Sequence, residues 1–344
     1  MINVIILHIN KYCLILTYNY KSPKFKSVWL LEIMSYWAVD CFGIISGIFG
    51  YKKYKFSNII YIWFLTLFYS TIFSFLLYYI EKNHNIKSVF INSFFPLLMK
   101  RHWYVNAYFY MYIFLPFINN GINNLKENIF RKIILFFILF YSIYNFIGAF
   151  IIGRNSYPFL NDGYSTSWLL ILYIFGAYLA KYKILNNISS IYFIFWIILY
   201  LVSSLFTYEF FYILLKKDKK NIPKKLFMNY LSPTMLLQTI SLIFIFFKLN
   251  IKNNITKKII SFFTPLTFST TLIHTLIFRL KFKYINMFFK WVFHFKSSYN
   301  FFKIYGLAII IFILCSFIDY FRLKIFQLFK IRELCIFIEQ KYLN

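Results

Sequence analysis

An all-α, polytopic bundle of transmembrane helices, about ten spans in number, is the fold class this sequence predicts. Three observations carry the prediction. The chain of 344 residues is 61% hydrophobic with a mean hydropathy of +0.64, against roughly 45–50% apolar residues in a soluble domain. Apolar runs close to the ~20 residues needed to cross a bilayer recur along its whole length. The runs are continuous rather than alternating, which argues against the two-residue period of a membrane β-barrel. The size suits one integral-membrane domain over residues 1–344, with no room for a separate soluble module.

The first run, 2–17, is short for a span. It starts at Met1 and reaches a loop by Thr17, so either it tilts through a thin region or, the favoured expectation, the helix is truncated and the recorded start lies downstream of the true one. No cleavable leader precedes it, and the run would itself serve as an anchor. Spans follow at 28–50 and 58–80, separated by a lysine-rich turn. The apolar stretch 88–99 has only ~12 residues and reads as an interfacial or re-entrant piece. The next spans are 103–120, which opens on Trp103 and Tyr104, then 131–152 and 165–182. A span at 189–215 runs into Lys216–Lys225, a stretch with six lysines. Spans at 230–250, 259–280 and 302–325 complete the set. Between the last two, residues 284–295 place Trp291 and several phenylalanines among lysines, an interfacial amphipathic pattern. Lysine and arginine divide about evenly between the two sets of loops, so the positive-inside rule assigns no orientation.

The formal charge is +28, and thirty-two of the 38 basic residues are lysine. Ile, Phe, Tyr, Asn and Lys, which share AT-rich codons, are inflated together, so much of that excess reflects base composition. The simplest partner for the basic loops is the anionic headgroups of membrane lipids. Nucleic acid is not expected, because no soluble basic domain exists to bind it. Cys13, Cys41, Cys315 and Cys335 are scattered and lack CxxC spacing, which supports neither a disulfide framework nor a metal site.

His8, Asp40 and His274 interrupt runs that are otherwise hydrocarbon. An ionisable group at bilayer depth costs at least ~2.5 kcal/mol on insertion scales and so marks a pathway or a reaction centre. A neutral imidazole such as His8 can take a proton from a hydroxyl, worth about 10²–10⁴-fold in rate, or can itself become acylated. Both remain open, as does a histidine merely bonded between helices. Asp40 could orient that imidazole through its ring N–H or pair with a lysine. Glu32 could substitute for it, although its place near the start of the second span suits an interfacial role better. No Walker-type or GxGxxG loop exists, so nucleotide hydrolysis has no support.

Six segments, in order, resemble the acyltransferase-3 family of ten-helix bacterial membrane enzymes. They are Val4-Ile5-Ile6-Leu7-His8; Val39-Asp40-Cys41-Phe42-Gly43-Ile44-Ile45-Ser46-Gly47; and Arg101-His102-Trp103-Tyr104 leading to Leu115-Pro116-Phe117-Ile118-Asn119. The others are Tyr173-Ile174-Phe175-Gly176-Ala177-Tyr178-Leu179 after Trp168, Phe268-Ser269-Thr270-Thr271-Leu272-Ile273-His274, and Asp319-Tyr320-Phe321-Arg322. The resemblance covers nearly the whole chain. It implies a multi-pass enzyme of the bacterial plasma membrane that moves acyl groups, often acetyl, from acyl-CoA onto surface glycans. His8 would be the reacting base or acyl carrier, with Asp40 in support. Ser46, Lys52, Lys53 and Lys55 would meet the coenzyme A donor, the lysines acting as point charges for its phosphates. Acetyl-CoA would be a substrate, with no permanently bound cofactor and no metal.

Trp103, Tyr104 and Trp168 are candidates for stacking on a sugar, although interfacial belts collect such residues by default. His274 and Arg279 could hold the glycan or a donor phosphate, or form a structural pair. His84, His102 and His294 fall in loops and carry no argument, and Asp319 with Arg322 reads as an intrahelical pair. The sequence departs from the family twice. An arginine that members carry about three turns before the first-helix histidine would precede Met1, and Lys52-Lys53-Tyr54-Lys55 stands where members have Arg-x-x-Arg. The rival readings are a non-enzymatic transporter or flippase for a glycan or lipid, and an inactive truncated member of the family.

Overall fold

The computed structural model describes residues 1–12, 22–81, 86–97, 102–153, 160–216, 226–279 and 300–342. Among them every regular element is helical, as a chain in lipid requires when each backbone N–H and C=O must find a partner within its own segment. In chain order these are α1 (Ile2–Tyr12), α2 (Pro23–Tyr36), α3 (Ala38–Gly50), α4 (Phe56–Glu81), α5 (Ile86–Phe94) and α6 (Trp103–Asn124). Then come α7 (Glu127–Phe137), a π-helical stretch (Ile138–Tyr144), α8 (Asn145–Ile152), α9 (Thr166–Lys181), α10 (Ile184–Asn187) and α11 (Phe193–Lys216). The chain closes with α12 (Pro233–Lys248), α13 (Asn254–Phe263), α14 (Thr267–Arg279), α15 (Asn300–Leu328) and α16 (Ile331–Tyr342).

Among the described residues, seven of the expected ten spans are long and apolar enough to cross a membrane: Phe25–Gly50, Phe56–Ile80, Glu127–Ile152, Phe193–Lys216, Leu226–Lys248, Asn254–Phe278 and Phe301–Leu328. The other three differ for separate physical reasons. As described, α1 has 11 residues, about 16 Å of helix, and the rest of the 2–17 run lies outside the described residues. Helix α6 has 22 residues but is diluted by Asn106, Asn119, Asn120, Asn123 and Asn124. Helix α9 has 16, about 24 Å against a hydrocarbon core of ~30 Å. The short α5 agrees with a non-spanning segment at 88–99. The amphipathic 284–295 with Trp291 and His294, His84, Arg101, Cys13 and most of the Lys216–Lys225 run lie outside the described residues. The terminal helix α16 has no counterpart among the expected elements, because its apolar residues are broken every few positions by charge.

The bundle is organised around the crossing of α3 and α9. Gly47 meets the carbonyl of Tyr173, and Gly176 meets the carbonyl of Ile44, so closely that a Cβ on either glycine would collide with the opposing backbone. Small residues let membrane helices touch along their main chains, and here they place Trp168 and Tyr173 against α3. Beyond α9, between it, the π-helical stretch and α12, lies an almost wholly apolar hollow of about 170 Å³ lined by residues such as Ile138, Trp168, Phe175 and Leu236.

A second buried cluster joins three helices on the other flank. Asp319 and Arg322 of α15 pair at 2.6 Å with both side chains buried, as their i, i+3 spacing predicts. The pair also recruits Tyr69 of α4, whose hydroxyl donates to Asp319 at 2.6 Å. Arg322 donates further to Tyr61 at 2.8 Å and to Ser269 of α14 at 3.3 Å. Every charge there has several partners, the condition under which a buried ion pair is tolerated.

Candidate functional site

Helix α14 presents His274, fully buried, with its Nδ1 on the carbonyl oxygen of Thr270 one turn earlier. Its Nε2 lies 3.0 Å from Nδ1 of His8 on α1. These contacts fix the tautomers of two neutral rings. A carbonyl only accepts, so Nδ1 of His274 carries the hydrogen and its Nε2 must accept. Nδ1 of His8 therefore donates, and Nε2 of His8 keeps the lone pair. The arrangement is a two-imidazole chain anchored on a backbone carbonyl, with a basic nitrogen at its far end.

Around His8 the helices enclose a cavity of about 310 Å³. Lys11 and Tyr12 of α1, Glu32 and Tyr36 of α2, Val39 and Phe42 of α3, and Thr271 and Thr275 of α14 contribute walls. Trp103 and Tyr104 open α6 there, and Tyr164 and Tyr230 arrive from the segments before α9 and α12. The Trp103 ring stands edge-on to Tyr164, with centroids 4.6 Å apart, and lies roughly parallel to Tyr230 at 6.0 Å. Such a box offers flat apolar faces rimmed by hydroxyls, which suits a ligand with one apolar face and polar edges.

Two residues have different places from those expected. Glu32 is buried on the cavity wall rather than interfacial, and Nδ2 of Asn10 donates to it at 2.8 Å, tying α1 to α2 next to His8. His102, set aside as a loop residue, precedes α6, is buried, and meets the Thr275 hydroxyl at 3.0 Å on the same wall.

Asp40 does not orient His8. Its Oδ1 accepts the indole N–H of Trp168 at 3.0 Å, and both side chains are buried between α3 and α9. The orienting position beside His8 belongs to His274. Trp168 is correspondingly no sugar platform, since only 1% of it is exposed. The sequence order hid this exchange, because Asp40 and His8 lie near each other in the chain whereas His274 comes 266 residues after His8.

Ser46 and the lysines stand apart from the cavity. Ser46 donates to the Phe42 carbonyl at 2.7 Å within α3. Lys52, Lys53 and Lys55 are exposed on the turn between α3 and α4. There an open cleft of about 540 Å³ is lined by Tyr51, Lys52, Tyr54, Pro116, Asn119, Asn120 and Asn123. Ten residues of chain separate Phe42 on the cavity from Lys52 on the cleft, about 15 Å at helical rise. Helix α6 packs on α9 and α4, and Tyr104, Tyr108 and Tyr112 follow one another along it at one-turn intervals, 6.2 Å between successive rings. Arg279 closes α14, and its side chain lies outside the described residues. Among the described residues no three His, Cys, Asp or Glu side chains cluster as a metal site.

No curated protein and no solved structure matches the chain. A family model does: Acyl_transf_3, described as an acyltransferase domain, matches residues 1–320.

Proposed function

This chain belongs to the acyltransferase-3 family, and from that premise we propose that it moves an acetyl or other acyl group from acyl-CoA to a hydroxyl of a cell-surface polysaccharide or its lipid-linked precursor. The observation that carries the proposal is the His8–His274 contact on the wall of a polar, aromatic cavity. In the proposed step, Nε2 of His8 takes the acceptor hydroxyl's proton as the oxygen attacks the thioester carbonyl carbon. Collapse of the tetrahedral adduct breaks the C–S bond, and the departing thiolate recovers the proton from His8. His274 remains neutral and accepts from the imidazolium throughout, so the positive charge is held by a bond already formed.

Lys52, Lys53 and Lys55 would hold the donor phosphates at the cleft, with Ser46 on the helix that leads inward. Trp103 and Tyr104, joined by Tyr164 and Tyr230, would hold the acceptor sugar. The setting would be a bacterial plasma membrane. A glycan or lipid transporter is the weaker reading, because it gives no task to a histidine whose lone pair is fixed by a second histidine.

The test compares acetyl-ester content of the surface glycan in cells carrying the wild-type protein or His8→Ala, at matched protein levels. A loss of at least about 10²-fold in transfer is expected; equal ester content in the two strains would end the assignment. Incubation with labelled acetyl-CoA and no acceptor decides between base and acyl carrier. The proposed base catalysis leaves the protein unlabelled, whereas a label on His8 would establish a covalent route.

A further inference from the structure

Beside the α3–α4 turn, at the start of α4, stands one more basic residue, from a helix that lies beyond the family match. Arg332, on α16, donates from Nη2 to Oδ1 of Asn58 at 2.6 Å, and its guanidinium lies 5.4 Å from the centroid of the Tyr61 ring. Asn58 in turn donates to the Tyr112 hydroxyl at 2.9 Å, and that hydroxyl donates to the carbonyl of Lys55 at 3.2 Å. The Tyr112 ring stacks on Tyr54, a wall of the cleft, with centroids 5.1 Å apart. The exposed guanidinium is thus fixed to the same short frame that carries the three lysines. The acid in that frame is Glu339, whose carboxylate accepts the backbone N–H of Phe56.

Chemistry distinguishes the two kinds of cation. Lysines attract a phosphate as mobile point charges, whereas a planar guanidinium engages two of its oxygens at once and fixes its orientation. A coenzyme A donor brings a diphosphate and a separate phosphate, more than mobile point charges alone would orient. Resting on the acyl-CoA reading above, we propose that Arg332 completes the donor site at Lys52, Lys53 and Lys55, its guanidinium binding a phosphate of coenzyme A. The C-terminal helix is then part of the enzyme's substrate recognition, and Asn58 and Tyr61 act as positioning residues for Arg332.

The experiment uses the full chain in lipid nanodiscs and measures binding of coenzyme A, 3′-dephospho-coenzyme A and pantetheine by calorimetry, with no acceptor present. Arg332→Ala should weaken coenzyme A binding about tenfold, and Arg332→Lys should recover part of it. The penalty should vanish for pantetheine, which has no phosphate. Unchanged coenzyme A affinity in Arg332→Ala would overturn the proposal. So would an equal loss for pantetheine, which would mean that Arg332 only docks its helix. Failure of the wild-type protein to bind coenzyme A would instead remove the donor reading itself, and this inference with it.

Discussion

At the scale of single residues the proposed chemistry depends on which nitrogen of His8 holds its hydrogen, and the contact with His274 favours Nδ1. Replacing His274 by Ala leaves His8 with either tautomer available and an unsupported imidazolium. We expect kcat to fall about 10–100-fold with little change in KM for the donor. Gln at 274, whose side-chain oxygen can accept from Nδ1, should recover part of the loss, as steady-state kinetics on the three proteins would reveal. His8, His274, Trp103 and Tyr104 were legible in the sequence, because polar or aromatic groups inside or at the ends of apolar runs stand out. Their partners were not. Glu32 and His102 looked peripheral from their local neighbours, and only the packing of α1, α2, α6 and α14 turns them inward. Asp40 was conspicuous for the right reason, burial, but its partner was Trp168, 128 residues away.

At the scale of elements, the long helices were legible because length and hydropathy alone determine a span. Ends, short helices and α16 were less so, since α16 owes its place to contacts with α4 rather than to an apolar run. Glu339 is one of those contacts, and its carboxyl lies below the ordinary glutamate value of 4.5. Its slight burial works in the opposite direction, but the hydrogen bond from the N–H of Phe56 and the charge of Lys55 outweigh it. A carboxyl held lower in the folded than in the unfolded state contributes its stability in full above the unfolded value. The contribution is lost as pH falls through the folded one. The protection of amides over Ile331–Tyr342 from hydrogen exchange, taken relative to the intrinsic rate at each pH, should therefore be higher at about pH 6 than at about pH 3, and Glu339→Gln should flatten the difference.

At the scale of the whole molecule, a large apolar cluster centred on α3 and α9 is supplemented by buried polar contacts between helices far apart in the chain. The Asp319–Arg322 cluster joins α4, α14 and α15 on one flank. Removing one partner strands the other charge, so Arg322→Ala should cost about 3–5 kcal/mol, read as a lower melting temperature in detergent. The pair Asp319→Asn with Arg322→Met should cost much less, because it leaves no buried charge behind.

The main-chain contact of α3 with α9 has a different kind of consequence, for how this protein can vary over generations. Any base change that alters the amino acid at codon 47 or 176 installs at least a methyl group where the neighbouring helix already lies. The turn that bears Lys52, Lys53 and Lys55, by contrast, is exposed and leaves room for a larger cation at position 53. A saturation library selected for surface esterification should therefore return those two codons nearly invariant, while Lys53 drifts freely to arginine. Selection at the pair would record how near two backbones must come, and nothing about acyl transfer itself.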